Sequence, residues 1–109
     1  MKSVRLLLGA VLLLGLGCRH AHEVVQEVVP ATPAEKHGER LFMVHCNQCH
    51  PGGEGGLGPE FKVKPLPKVL IRAQIRAGLG AMPAFGPEKI PDQDLDALME
   101  YIGAIKRTR

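Results

Sequence analysis

Cys46-Asn47-Gln48-Cys49-His50 is the stretch around which the rest of the chain is arranged. In the order C-x-x-C-H, two thiols three positions apart can both bond to the two vinyl-derived carbons on one edge of a porphyrin. The histidine that follows is held against the ring, where its imidazole can take one axial position on the iron. This is the attachment signature of a c-type haem, with Cys46 and Cys49 as thioether sites and His50 as a metal ligand. A covalent group of this kind also meets a need of the chain. With 109 residues, 4% aromatics and no tryptophan, there is at most one domain, and its own core is marginal.

Upstream of the motif, Thr32 can cap a helix, Pro33 suits its first position, and Glu35 stands three after the threonine, the capping-box pattern. The helix runs through Gly38 and on to the motif, with Leu41, Phe42 and His45 at helical spacing on a face expected to pack inward. Downstream, Pro51 to Pro59 carries Gly52, Gly53, Gly55, Gly56 and Gly58. That composition excludes regular structure. A phosphate-cradling loop is excluded too, since the Gly-Lys-Ser/Thr ending and a preceding strand are both missing. Glycine lets backbone approach a flat ligand closely.

Pro67 to Ala77 reads as a second helix stopped by Gly78, with Val69, Ala73 and Ile75 expected to supply its apolar contacts. Lys68, Arg72 and Arg76 fall at i, i+4 and i+8, a basic stripe that is either a solvated face or a docking surface for an acidic partner. Residues 78–85 are loop by composition. A last helix is expected from Asp92 to Lys106, with Asp92 and Asp94 at its positive end, Lys106 and Arg107 at its negative end, and Leu95, Leu98, Ile102 and Ile105 as the buried stripe. There is no strand-like alternation of useful length, so the fold class is all-α.

The N-terminus is of another kind. Met1-Lys2-Ser3-Val4-Arg5 is basic, and Leu6 to Gly17 carries no charge. That run suits the apolar core of an export signal and is shorter than the roughly 20 residues of a membrane-spanning helix. Cys18 follows it. The expected organisation, in which Cys18 is a lipidation site because it resembles the lipidated cysteine of bacterial lipoproteins, is residues 1–18 as signal peptide and lipidation site, 19–31 as tether, and 32–109 as the haem domain. His20 and His22 in the tether are two histidines without further ligands, too few for a zinc site. The cysteines are accounted for: haem takes Cys46 and Cys49, lipid takes Cys18, and no disulfide remains. A net charge of +3, of which Lys2 and Arg5 belong to the signal, gives no warrant for nucleic-acid binding.

The stretch from Thr32 to Lys106 resembles the class I c-type cytochromes, small single-haem electron carriers. Gly38, Phe42 and Cys46 match the family's glycine, aromatic and first haem cysteine, each four apart. Leu98 and Tyr101 match the aliphatic and aromatic of its last helix. The resemblance implies three main helices wrapped around one haem, with the first and last crossing at Gly38. It implies Met82, in Met82-Pro83 after the middle helix, as the second axial ligand. Met43 lies too close to Cys46 to reach the other haem face, and Met99 reads as helix core. It implies that the carbonyl of Pro59 accepts a hydrogen bond from His50, orienting the ring. Relatives open the last helix with a serine or threonine cap, and this chain has Pro91 there. Cys18, after small residues at the end of an apolar run, resembles the lipidated cysteine of bacterial lipoproteins, although Gly15 stands where those have a large aliphatic residue.

The function these features imply is one-electron transfer between donor and acceptor redox proteins by an exported, periplasmic monomer, anchored to a membrane through a lipid on Cys18. The chain is not expected to be an enzyme. An alternative is a haem-based small-ligand sensor or enzyme subunit in which Met82 is labile, but no distal histidine or arginine stands beside Met82. A zinc site at His45, Cys46, Cys49 and His50 lacks two separated ligand pairs. A thioredoxin-like dithiol lacks strand-helix-strand context.

Overall fold

A computed structural model describes residues 27–62 and 66–108. The expected signal, Cys18, His20 and His22 lie outside these residues. Among the described residues there are three helices and no strand: α1 (Pro33–His45), α2 (Lys68–Ala77) and α3 (Asp92–Arg107), with a single 3-10 turn at Pro51–Gly53. The all-α expectation is met.

α1 starts as its sequence predicts. Thr32 Oγ1 accepts from the Glu35 amide at 3.1 Å, and Glu35 Oε2 accepts from the amides of Thr32 at 3.3 Å and Ala31 at 2.6 Å. The other oxygen, Oε1, accepts from Arg107 Nη2 at 2.6 Å, so a buried carboxylate ties the start of α1 to the end of α3. The Ala31 amide holds the Glu35 carboxyl below its ordinary value; burial opposes this, and Arg107 reinforces it.

The two long helices meet at Gly38. A Cβ there would stand 2.7 Å from the carbonyl carbon of Ala97 and 2.8 Å from Tyr101 Cβ, closer than atoms can pack. Beside this contact Phe42 is fully enclosed, with its ring 5.5 Å from that of Tyr101. Leu95, Leu98, Ile102 and Ile105 form the buried stripe of α3, as their spacing requires. Met99 is core, and Met43 points to solvent.

α2 corrects two expectations. Val69 and Ala73 lie on its outer side, and the inward pair is Ile71 and Ile75. The sequence does not select a face, because apolar residues flank the basic stripe on both sides, Ile71 and Ile75 on one and Val69, Leu70, Ala73 and Ala77 on the other. Nor is the basic stripe a free surface. Lys68 pairs with Glu100 at 3.3 Å, Arg72 with Asp96, and Arg76 with Asp92 at 2.5 Å. Positions i, i+4 and i+8 of α2 thus meet the same spacing on α3 in antiparallel order, forming a ladder between helices. Exposed pairs of this kind contribute about 0.2–1 kcal/mol each, so the ladder sets register more than stability. α2 begins one residue later than expected, at Lys68, with Pro67 just outside it. α3 begins without a side-chain cap at Pro91, and the Arg76–Asp92 pair holds its first turn instead.

Gly38→Ala should destabilise the haem-loaded protein by about 3 kcal/mol, the upper end for core overpacking, because the clash is with backbone. Denaturant unfolding measures it, and a loss under 1 kcal/mol would mean that the helices do not touch there.

Candidate functional site

The C-x-x-C-H stretch forms a tight turn off the end of α1. The amides of Cys49 and His50 both donate to the Cys46 carbonyl, at 3.1 and 2.9 Å, and Asn47 Oδ1 accepts from the Gly52 amide at 2.8 Å. The turn therefore presents Cys46, Cys49 and His50 to one cavity of about 770 Å³. Cys46 is half-buried, and its desolvation, with the neighbouring Cys49 adding to it, pushes its thiol pKa up to about 11. A dithiol oxidoreductase needs a lowered thiol pKa, and that of Cys46 is moved the other way.

His50 is only 7% exposed and is fixed from three sides. Its Nδ1–H donates to the Pro59 carbonyl oxygen at 3.1 Å. A carbonyl can only accept, so this assignment leaves the Nε2 lone pair as the free acceptor or metal-binding position. The ring of Phe61 lies 4.7 Å away, centroid to centroid. Gly58 closes over the imidazole so tightly that a Cβ there would be 2.5 Å from both ring nitrogens. The Gly58 amide donates to the Cys49 carbonyl at 2.9 Å, which holds the loop in this position. The glycine-rich loop is thus shaped around the histidine.

Met82 enters the same cavity from the other side of the sequence. Gly78 ends α2 with φ +72°, a backbone angle that favours glycine. The next residues turn back at once, with the amides and carbonyls of Leu79 and Met82 paired at 3.0 and 3.1 Å. The Phe85 amide donates to the Ile75 carbonyl at 2.9 Å. Arg76 then spans the segment: its Nη1 donates to the carbonyls of Phe85 at 2.9 Å and Ile90 at 2.7 Å. Gln74 Nε2 donates to Met82 Sδ at 3.7 Å, which places the thioether. Gln74 carries no recognisable sequence signal, and Arg76 signals only a basic stripe; both roles depend on backbone groups many residues away.

The structure brings Cys46, Cys49, His50 and Met82 into one cavity wall, with Pro59 also lining it. Among the described residues no group of three or more His, Cys, Asp or Glu side chains is placed to hold a metal ion. The donor set fits a haem c instead: two thiols, one oriented imidazole, one thioether and an apolar lining. Val44, Leu57 and Leu79 are strongly exposed at the cavity, and apolar side chains left open to water are what a large flat apolar group would cover. The volume is within the range of small-molecule and cofactor sites.

Residues 33–102 match the family model described as cytochrome C oxidase, cbb3-type, subunit III. Among curated proteins, the chain is 33% identical over 86 residues to cytochrome c6 of Cyanidioschyzon merolae, covering 72% of this chain and 79% of that one. It is 33% identical over 78 residues to cytochrome c6 of Bumilleriopsis filiformis, covering 62% and 86%. It is 34% identical over 68 residues to the 4-cresol dehydrogenase [hydroxylating] cytochrome c subunit of Pseudomonas putida, covering 62% of this chain and 59% of that subunit's length. No solved structure matches at comparable stringency.

Arg76→Met should release the Met82 segment while sparing the α1–α3 crossing. Hydrogen exchange should then be at least tenfold faster at the Phe85 amide and little changed in α1, and equal protection in both proteins would show that Arg76 does not hold the segment.

Proposed function

The chain belongs to the family described as cytochrome C oxidase, cbb3-type, subunit III and is a class I c-type cytochrome that carries electrons through a covalently bound haem c; on that premise we propose that Cys46 and Cys49 bear the thioether links and that His50 and Met82 are the two axial ligands. When bound, haem c supplies a one-electron ferric/ferrous couple. The observation that carries the residue roles is that both cysteines, His50 and Met82 line one cavity.

Each residue has a physical task. Pro59 keeps the His50 ring in one orientation and one tautomer through the 3.1 Å hydrogen bond, which strengthens the ring as a donor. Met82 supplies a soft sulfur, which favours the ferrous state relative to a second imidazole. Gln74 and Arg76 hold that sulfur and its loop in one place, so the ligand set changes little between oxidation states. Ile71, Ile75, Phe85 and Ile102 keep water from the cavity wall, and a low-polarity surrounding also favours the less charged state.

With both axial positions taken, the chain would turn over no substrate of its own and would act as a carrier. Its partners are a donor and an acceptor redox protein, met through small, short-lived interfaces. The relative from Pseudomonas putida is by name a dehydrogenase subunit, so a dehydrogenase is one class of donor to test. Among the described residues no helix is long and apolar enough to cross a membrane. We place the protein outside the cytoplasm, as a periplasmic monomer held to a membrane by a lipid on Cys18; this rests on the basic start, the uncharged run Leu6 to Gly17 and the cysteine that ends it.

Met82→Ala should keep haem attached through Cys46 and Cys49, lower the reduction potential and open the iron to carbon monoxide or cyanide. An unchanged potential and no new ligand binding would exclude Met82 as a ligand.

A further inference from the structure

Five described basic side chains of this domain are matched with a carboxylate: Lys62 with Glu54, Lys68 with Glu100, Arg72 with Asp96, Arg76 with Asp92 and Arg107 with Glu35. Lys36, Arg40, Lys89 and Lys106 have no such partner among the described residues, and of these only Lys89 and Lys106 line the cavity. Lys106 stands in the last turn of α3, one turn beyond Ile102, and both residues line the haem cavity. Its Nζ donates to the Leu66 carbonyl at 3.1 Å, and among the described residues no carboxylate lies within ion-pair distance of it. An ammonium group has three donors, and this carbonyl uses one. A half-buried cation in a largely apolar wall gains from a carboxylate partner.

The other titratable groups that line the cavity do not pair with Lys106. Lys89 is exposed and places its Nζ 5.2 Å over the ring of Phe85, while His45 packs edge-on against the same ring at 5.8 Å. Glu60 is a wall residue that makes no ion pair among the described residues. His50 is taken by Pro59. A carboxylate on the cavity's occupant is the group that would match Lys106. A haem c carries two carboxylates, its propionates, on the side of the ring away from the carbons that bond to the cysteines. The cysteines sit at the end of α1, whereas Lys106 comes from the end of α3 and contacts the segment before α2.

We propose that Lys106 is the counter-ion of one haem propionate, held in place by the Leu66 carbonyl, and that it thereby sets the pH range over which the reduction potential is constant. This rests on haem occupying the cavity lined by His50 and Met82. The positive charge holds the propionate ionised to lower pH and stabilises the electron-rich ferrous state less than it would if unpaired, yet more than a neutral side chain would. A propionate without Lys106 would protonate closer to neutrality, and oxidation of the iron would then release its proton.

The test is the potential of the covalently loaded full chain, titrated from pH 5 to pH 9, for the wild type, Lys106→Gln and Lys106→Arg. Lys106→Gln should show a lower potential at pH 8 and a slope with pH between 5 and 8 that the wild type lacks. Lys106→Arg should follow the wild type. Superposable curves for all three would overturn the pairing. Retention of haem and of the methionine-ligated spectrum in Lys106→Gln separates this outcome from failure of the His50/Met82 assignment, which would alter the spectrum of every variant. Should Lys106→Gln not fold, infrared difference spectra of the wild type decide it. One propionate is expected to stay ionised to lower pH than its twin, and two propionates titrating together would contradict the pairing.

Discussion

α1 and α3 can touch backbone to backbone only because residue 38 has no side chain, and the position of the haem motif follows from that contact. With Gly38 against Ala97 and Tyr101, Phe42 is driven into the space beside Tyr101 and becomes fully enclosed. Three residues later α1 ends, and the Cys46–His50 turn emerges at a fixed place relative to α3. Glu35 secures the same helix pair at its far end, through the capping box and the bond to Arg107. A shift in the crossing would move the cysteines with it, and two thioether bonds to one rigid ring tolerate little movement.

The second half of the chain carries the proposed ligand Met82, and a methionine in a loop ligates poorly unless the loop is held. α2 has one well-buried side chain, Ile75, and cannot anchor the loop by packing alone. The ladder to α3 fixes its register. Arg76, the last rung, also reaches the carbonyls of Phe85 and Ile90, so one guanidinium couples α2, the Met82 segment and the start of α3. The cavity between these parts is lined largely by apolar side chains, several of them open to water. Haem is therefore a structural part of this small domain as well as its redox group, consistent with the rule that chains of this size need a supplement to their core.

Much of this was legible in the sequence because the deciding features are local. Thr32 and Glu35 are three apart, Cys46 and His50 lie within one turn, and the apolar stripe of α3 repeats at helical spacing. The Pro59 carbonyl and the Gly38 crossing were reachable through family resemblance, since nothing local in either residue reports its partner. On α2 the expectation holds for Ile75 and fails for Val69 and Ala73, because apolar residues flank the basic stripe on both sides and the sequence does not say which side packs inward. The ladder was missed for a related reason: a basic stripe looks the same whether it meets water or the acids of α3. Gln74 and Lys106 acquire their roles only from a cavity that no window of sequence contains.

The central claim is that one haem is bonded to this chain and ligated by His50 and Met82. The most direct measurement is an optical spectrum of the exported protein, oxidised and then reduced, after denaturing extraction of any free haem. The account predicts haem that stays with the chain, sharp low-spin bands, and the weak far-red band of methionine-ligated ferric haem. Covalent haem with a high-spin spectrum would contradict the ligand pair, and the absence of haem from the extracted chain would contradict the claim as a whole.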